Sequence, residues 1–363
     1  MIREPGNLPA SEVRAFGRKG CTVRISKNTP VFEKEGRVNF LEGVKMKMKN
    51  KSKIILTIFI ISLFILTACS NKTAAPSTDS KEAKNFEEFP LTIEDQMGRK
   101  VTIEKQPERI VSLAPSNTEI LFNLELGDKI VGVTDFCDYP EEAKTKEKIG
   151  GFSEPNIEKI ISLQPDIVFA TNMHQKPVEE LEKLGIPAVV LDPKDFDDML
   201  ASVEIMGRAT GQSEKAAKIV NDLKARMEDI ENKTAKLTED RRPKVYYEIW
   251  PSPITTAGPG TFVNDIIQKA GGINIAGDAK KSYPEYSVEM IVAKNPDIII
   301  FSHHGSSNQS VEDILSRQGW ENVNAIKNKK VFYIDENLVQ RATPRLVDGL
   351  EEMAKIIHPE LFK

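Results

Sequence analysis

EKIISLQPDIVF (Glu158–Phe169) returns later in the chain as EMIVAKNPDIII (Glu289–Ile300). In each copy a glutamate leads, an isoleucine follows two places on, and Pro-Asp-Ile comes after a short amphipathic stretch. Proline stops a helix because it lacks a donor and crowds the preceding turn, and a β-branched apolar run then enters a sheet. One such joint is ordinary helix-to-strand chemistry. Two, with their glutamates, predict two lobes of one architecture facing each other. Each copy also follows an amphipathic stretch ending near glycine, Thr118–Gly127 and Phe262–Gly271.

Strand-like and helix-like stretches alternate on both sides of the repeat. Leu91–Ile103 alternates apolar and polar residues about Gly98 and reads as a hairpin. Arg109–Ala114, Ile130–Thr134, Ile167–Ala170 and Ala188–Leu191 read as strands, with helices over Ser116–Leu126, Asn156–Leu163 and Val178–Leu184. Ser213–Leu237 holds no Gly or Pro, and as a helix it reaches roughly 37 Å, enough to connect two lobes. The alternation then restarts, with strands at Val245–Ile249, Ile298–Phe301 and Val331–Ile334. Helices are expected over Phe262–Ala270, Val288–Ala293, Val311–Leu315 and Arg345–Ile357. The fold class is α/β, with parallel sheets covered on both faces.

A composition of 40% apolar and 29% charged residues is that of a globular protein long enough for two domains. The net charge of −4, without a clustered basic face, argues against nucleic acid as a partner. Lys45, Lys47, Lys49, Lys51 and Lys53 precede the apolar run Ile54–Leu66, which is short for a membrane span and suits a signal-peptide core. Leu66-Thr67-Ala68-Cys69 then resembles a bacterial lipobox, making Cys69 the expected lipidation site and placing the protein on the outer face of the cell membrane. Residues 1–45 fit no secretory pattern and read as an upstream extension, with Met46 or Met48 as initiator. The expected layout is 46–68 signal peptide, 69–88 flexible tether, 89–195 N-terminal lobe, 196–241 helical linker and 242–363 C-terminal lobe. With Cys21 upstream and Cys69 lipidated, Cys137 is left alone and no disulfide framework is expected.

Arg109-Ile-Val-Ser-Leu-Ala-Pro-Ser-Asn-Thr-Glu119 resembles the opening strand and helix of the substrate-binding lipoproteins of bacterial ABC importers for iron-siderophore, haem and cobalamin. Asp138-Tyr139-Pro140, Asn156-Ile157-Glu158, Pro165-Asp166, Ser287-Val288-Glu289, Pro296-Asp297 and Arg341-Ala-Thr-Pro-Arg345 match in the same order. The resemblance runs from about Glu88 to Lys363, and Ser112–Glu119 and Arg341–Arg345 look most similar to the vitamin B12 binders. It implies two Rossmann-like lobes joined by a single long helix, a ligand cleft between them, and a small opening motion. It also implies a permease dimer with a cytoplasmic ATPase as partner, a transported small molecule rather than a cofactor, and no catalysis. A monomer is expected.

Glu158 and Glu289 each begin a helix, where the dipole favours a carboxylate whatever its function. The resemblance makes them docking knobs, one per lobe, for arginine pockets of a two-fold permease. Such rim charges fix register more than they add affinity. A corrin needs flat apolar walls, which aromatic residues at strand-to-helix loops supply. By resemblance Phe136 and Phe152 fall where cobalamin binders place aromatics on the first lobe. Trp250 and Tyr283 sit at comparable places on the second, Trp250 in a Trp-Pro-Ser-Pro stretch that reads as a loop. Asn337 and Arg341 align with contacts to the ligand's polar edge, Asn337 replacing an acidic residue of some relatives and Thr171 an aromatic one.

His174, His303 and His304 follow strands whose C-terminal ends are where open α/β sheets bind ligands, so an axial role toward a haem or metal stays open beside that of solvated loop residues. Gly258-Pro259-Gly260-Thr261 lacks the lysine of a phosphate loop and reads as a turn with Thr261 as N-cap. Cobalamin or a related corrinoid is the expected ligand, with a ferric siderophore or haem as the alternative. A secreted lipoprotein hydrolase would need a nucleophile with its base, and no such motif stands out.

Overall fold

A computed structural model describes residues 88–302 and 309–362. The expectations for the upstream extension, the signal segment, Cys69, most of the tether, His303 and His304 lie outside the described residues.

The first sheet holds β3 (Ile110–Ser112), β4 (Ile130–Val133), β5 (Ile167–Ala170) and β6 (Ala188–Val190), all parallel in the order β4-β3-β5-β6. Its helices are α1 (Pro115–Asn123), α2 (Ile157–Ser162) and α3 (Gln175–Lys183). Ahead of it, β1 (Leu91–Glu94) and β2 (Lys100–Ile103) form the expected hairpin, with Gly98 at φ +73° in the turn. The hairpin tip seals the β6 edge. Val190 N–H donates to Asp95 Oδ2 at 3.0 Å, and Gln96 N–H donates to Val190 O at 3.2 Å.

The linker is a helix pair. α4 (Phe196–Thr210) is capped by Asp195, which accepts from Asp198 N–H at 2.9 Å, and ends at Gly211 with φ +72°. α5 (Ser213–Thr234) follows at once and stops three residues short of the Leu237 expected from sequence. Arg242 Nη2 donates to the Thr234 carbonyl at 3.1 Å, which also accepts Leu237 N–H in a closing turn, and the Thr234 hydroxyl donates to Lys269 O at 2.9 Å. The two helices approach closely at Gly207, where a Cβ would stand 2.4 Å from that of Ala216.

The second sheet holds β7 (Lys244–Pro251), β8 (Ile254–Thr256), β9 (Ile273–Asn274), β10 (Ile298–Phe301) and β11 (Val331–Tyr333). The order is β11-β10-β7-β8, with β9 also on β7, and every pairing is parallel except β7 with β8. Its helices are α6 (Phe262–Lys269), α7 (Val288–Lys294), α8 (Val311–Leu315), α9 (Asn324–Lys327), α10 (Glu336–Val339) and α11 (Leu346–Ile357). Thr261 does cap α6, accepting from Asn264 N–H at 3.2 Å.

The repeated Pro-Asp-Ile occupies equivalent places in the two sheets. Ile167 pairs with Ile110 of the neighbouring strand, and Ile298 with Val245. Asp166 Oδ2 accepts the backbone N–H groups of Glu108 and Arg109 at 2.9 and 3.0 Å, and Asp297 Oδ2 accepts that of Lys244 at 3.0 Å. Each aspartate thus ties together the starts of two adjacent parallel strands, where backbone donors lack a ladder partner.

Side chains alternate across each strand, and both faces are buried. Ile110, Ile167, Phe169, Val245, Tyr247, Ile298 and Ile300 join one core with α4, α5, α6 and α11. Val111, Val168 and Ala170 face a separate cluster under α2 and α3, and Tyr246, Ile299 and Phe301 face another around Trp320. The shared core therefore runs through the helix pair from sheet to sheet. Phe196 and Phe262, the first residues of α4 and α6, meet edge to face at 6.3 Å across it.

Candidate functional site

The segment after β4 is held from inside. Cys137 is buried, with its Sγ 3.1 Å from Thr118 Oγ1 and 3.2 Å from Thr134 Oγ1. Lys148 Nζ lies on the other side of the loop, donating to the carbonyls of Thr134, Cys137 and Ala143 at 3.2–3.4 Å. With Cys137 turned inward, its neighbours Phe136 and Asp138 turn outward, and Phe136 is 60% exposed.

On the second lobe Tyr283 is 61% exposed and Trp250 36%. Trp250 belongs to β7 instead of the expected loop, paired with Thr255 of β8. The Ser252-Pro253 turn is short enough for the strand to continue into a hairpin, and the indole Nε1–H donates to Ser252 O at 3.0 Å. Residues 284–286 extend this edge, with Tyr286 N–H on Ile254 O and Thr255 bridged to Glu285. Asn337 sits in α10, its Nδ2 donating to Asp335 Oδ1 at 2.9 Å.

His174 is neither a solvated loop residue nor placed as an axial ligand. It is buried, its Nδ1 accepts the Thr171 N–H at 3.0 Å, and its Nε2–H donates to Phe152 O at 2.6 Å. Both ring nitrogens are thereby used, which fixes the neutral Nε2–H tautomer. Burial holds the imidazole pKa below its ordinary value. The half-buried Phe152 ring packs edge-on against the imidazole at 5.0 Å. Among the described residues, no group of three His, Cys, Asp or Glu side chains is placed to hold a metal ion.

Arg341 lies at the seam between the lobes. Glu119, buried on α1, accepts from Arg345 Nε at 2.8 Å and Nη2 at 2.6 Å, and from Arg341 Nη1 at 3.2 Å. Arg341 Nη1 also reaches Asp138 Oδ1 at 2.8 Å, and the Arg345 guanidinium stands 3.7 Å over the Tyr139 ring. Partial burial works to raise the Asp138 carboxyl pKa, but the hydrogen bond and charge of Arg341 override it and hold the pKa below the ordinary value. Two arginines of the C-terminal lobe thus grip two carboxylates of the N-terminal lobe. A groove of about 570 Å3 borders Tyr139 and Arg345, but its floor is α5 and not the strand-end loops.

Below the second lobe's strand ends lies a buried polar layer. Arg317 and Glu248 form a two-pronged ion pair at 2.6 Å for each bond, with Tyr246 donating to Glu248 at 3.1 Å. Tyr247 and Ser302 share a short hydrogen bond, and Gln340 Nε2 donates to Tyr247 Oη at 3.1 Å. Burial raises both tyrosine pKa values.

Glu158 and Glu289 are both exposed and both second in their helices, behind Asn156 and Ser287 as N-caps. The Ser287 side chain lowers the Glu289 carboxyl pKa. The sequence reading did not assign Glu119, Asp138, Tyr139 or Arg345 to the site. All four stand inside collinear motifs, at the ends of Arg109–Glu119 and Arg341–Arg345 and in Asp138-Tyr139-Pro140, and that was the available signal.

Residues 110–338 match the periplasmic binding protein family. The chain is 37% identical, over 87% of its length and 100% of the other's, to the uncharacterized ABC transporter substrate-binding lipoprotein YvrC of Bacillus subtilis. It is 30% identical to a vitamin B12-binding protein of Vibrio cholerae, over 68% of this chain and 87% of that one. A solved structure described as a possible iron-binding, periplasmic solute-binding protein of Staphylococcus epidermidis is 31% identical with a TM-score of 0.61, covering 70% of this chain and 100% of that one. The chain belongs to the periplasmic binding protein family and has its two-lobed α/β fold. It is a substrate-binding component of the ABC-importer class, and proteins of this class carry a transported ligand instead of a cofactor.

Proposed function

We propose that this protein captures cobalamin or a related corrinoid between its lobes and delivers it to a permease dimer driven by a cytoplasmic ATPase. The supporting observation is the pair of aromatic edges that stay exposed at or near the strand ends. Phe136 stands on the first lobe, and Trp250 and Tyr283 on the second. Large aromatics left in solvent on both lobes suit a wide, flat ligand, which returns the burial they forgo in the free protein. Phe152, Asn337 and Arg341 complete the proposed contact set. Glu158 and Glu289, each exposed on the first turn of a helix, are the proposed docking charges, and Cys69 the proposed lipid anchor on the outer membrane face.

The Vibrio cholerae relative is named for vitamin B12, which favours a corrinoid, while the Staphylococcus epidermidis structure is named for iron, which keeps a ferric siderophore or haem as the second reading. A hydrolase draws no support from these relatives, which are named as binding proteins. Titration of the purified protein with cyanocobalamin, dicyanocobinamide, haemin and a ferric siderophore decides between the readings. Saturable binding of either corrinoid at micromolar concentration or below is expected. Haemin or siderophore binding without corrinoid binding would overturn the proposal.

A further inference from the structure

Two positive and two negative side chains meet where the lobes touch, and they differ in how firmly they are held. The Glu119 side chain is fully buried, Arg345 is 15% exposed and Arg341 24%, whereas Asp138 is 53% exposed. Glu119 is bound by both arginines, but Asp138 only by Arg341. Asp138 is therefore the one member that a ligand can displace without opening the lobes. It also lies two residues from Phe136, on the loop that Cys137 anchors.

We propose that Asp138 is an exchangeable counter-ion for Arg341 that sets the charge class of ligand admitted between the lobes. With Asp138 in place the seam is electrically balanced, two guanidinium groups against two carboxylates, and it favours uncharged, amide-rimmed chelates over carboxylate-rimmed anionic ones. A carboxylate rim approaching Arg341 must displace Asp138 and then share the space with its negative charge, a repulsion that grows as water is expelled. An amide rim accepts a hydrogen bond from the guanidinium and leaves the ion pair intact. Two lysines of the same loop are already engaged elsewhere. Lys144 is paired with Glu141 at 2.7 Å, and Lys148 is turned onto three backbone carbonyls.

This inference rests on the proposed binding of a metal chelate between the lobes, and a matched pair of corrins tests it. Dicyanocobinamide and dicyanocobyrinic acid share ring, cobalt and cyanides, but the first is rimmed by amides and the second by carboxylates. Affinities for the wild type, Asp138→Asn and Asp138→Ser are measured by calorimetry, with melting curves to verify that each variant is folded. The wild type is expected to prefer the amide-rimmed ring by about tenfold or more, and both variants to lower that preference by about tenfold, through tighter binding of the carboxylate-rimmed ring. A preference shifted less than threefold in both folded variants, or a wild type that favours the carboxylate-rimmed ring, overturns the counter-ion role. If neither corrin binds but haemin does, the corrinoid reading falls with it. An unchanged preference alongside tight corrin binding removes the counter-ion role alone.

Discussion

Glu119→Gln is the substitution that most directly tests how the two lobes are held together. The carboxylate accepts three hydrogen bonds from two arginines at 2.6–3.2 Å, and its own side chain has no solvent exposure. Removing one partner of a buried ion pair generally costs about 3–5 kcal/mol, because the remaining charge stays desolvated. Here Arg345 and Arg341 keep 15% and 24% exposure, and Asp138 still faces Arg341, so solvent and the second carboxylate relieve part of the loss. The expected destabilisation is about 2–3 kcal/mol, or a melting point lower by about 3–5 °C for a chain of this size. Urea unfolding at pH 7, followed by circular dichroism and tryptophan fluorescence, measures it, provided the two transitions coincide. A double-mutant cycle with Arg345→Gln isolates the pair, and a coupling of about 1.5–3 kcal/mol is expected. Coupling under about 0.5 kcal/mol would mean that Glu119 and Arg345 are neighbours that do not hold the lobes, and the reasoning would fail.

Glu158→Ala combined with Glu289→Ala should abolish uptake in cells while ligand affinity stays within about threefold, since both carboxylates are exposed on helix starts and are the proposed docking charges. Normal uptake by the double mutant would remove the docking role. The His174 imidazole has a folded pKa below its unfolded value of about 6.5, so the unfolded chain binds the extra proton first. Its contribution to stability is complete above about pH 6.5 and is lost as pH falls from there through the folded pKa. Acidification should also free the Thr171 backbone N–H, because a protonated Nδ1 no longer accepts it, while Nε2–H keeps its bond to Phe152 O. Faster amide exchange at Thr171 at pH 5.5 than intrinsic rates explain is the expected sign, and a His174 that titrates at or above pH 6.5 by NMR would contradict it.

Much of the architecture was open to a reading of local pattern. The repeated Pro-Asp-Ile marked equivalent strand starts because proline ends a helix, aspartate accepts backbone donors and isoleucine enters a sheet, all within three residues. The caps at Asn156, Thr261 and Ser287 follow from the same short-range chemistry. α4 falls inside the expected helical linker, but its own bounds were not read from the sequence, though Met199, Val203 and Met206 carry its apolar face. Trp250 was misplaced because Pro-Ser-Pro looks like a loop, while cross-strand pairing with Thr255 carries β7 up to Pro251.

The site divides along the same line. The exposure of Glu158 and Glu289 at helix starts is set by neighbours a few residues away, whereas Phe136 and Phe152 were proposed through the family resemblance. His174 was left open because its second partner, Phe152, is 22 residues distant, and that carbonyl makes the imidazole part of the loop's support. The Glu119–Arg345 grip spans 226 residues, and Arg341 reaches Asp138 across 203. No helical or strand period extends that far. Such charges meet because two sheets and a helix pair, packed on one shared core, bring the lobes together.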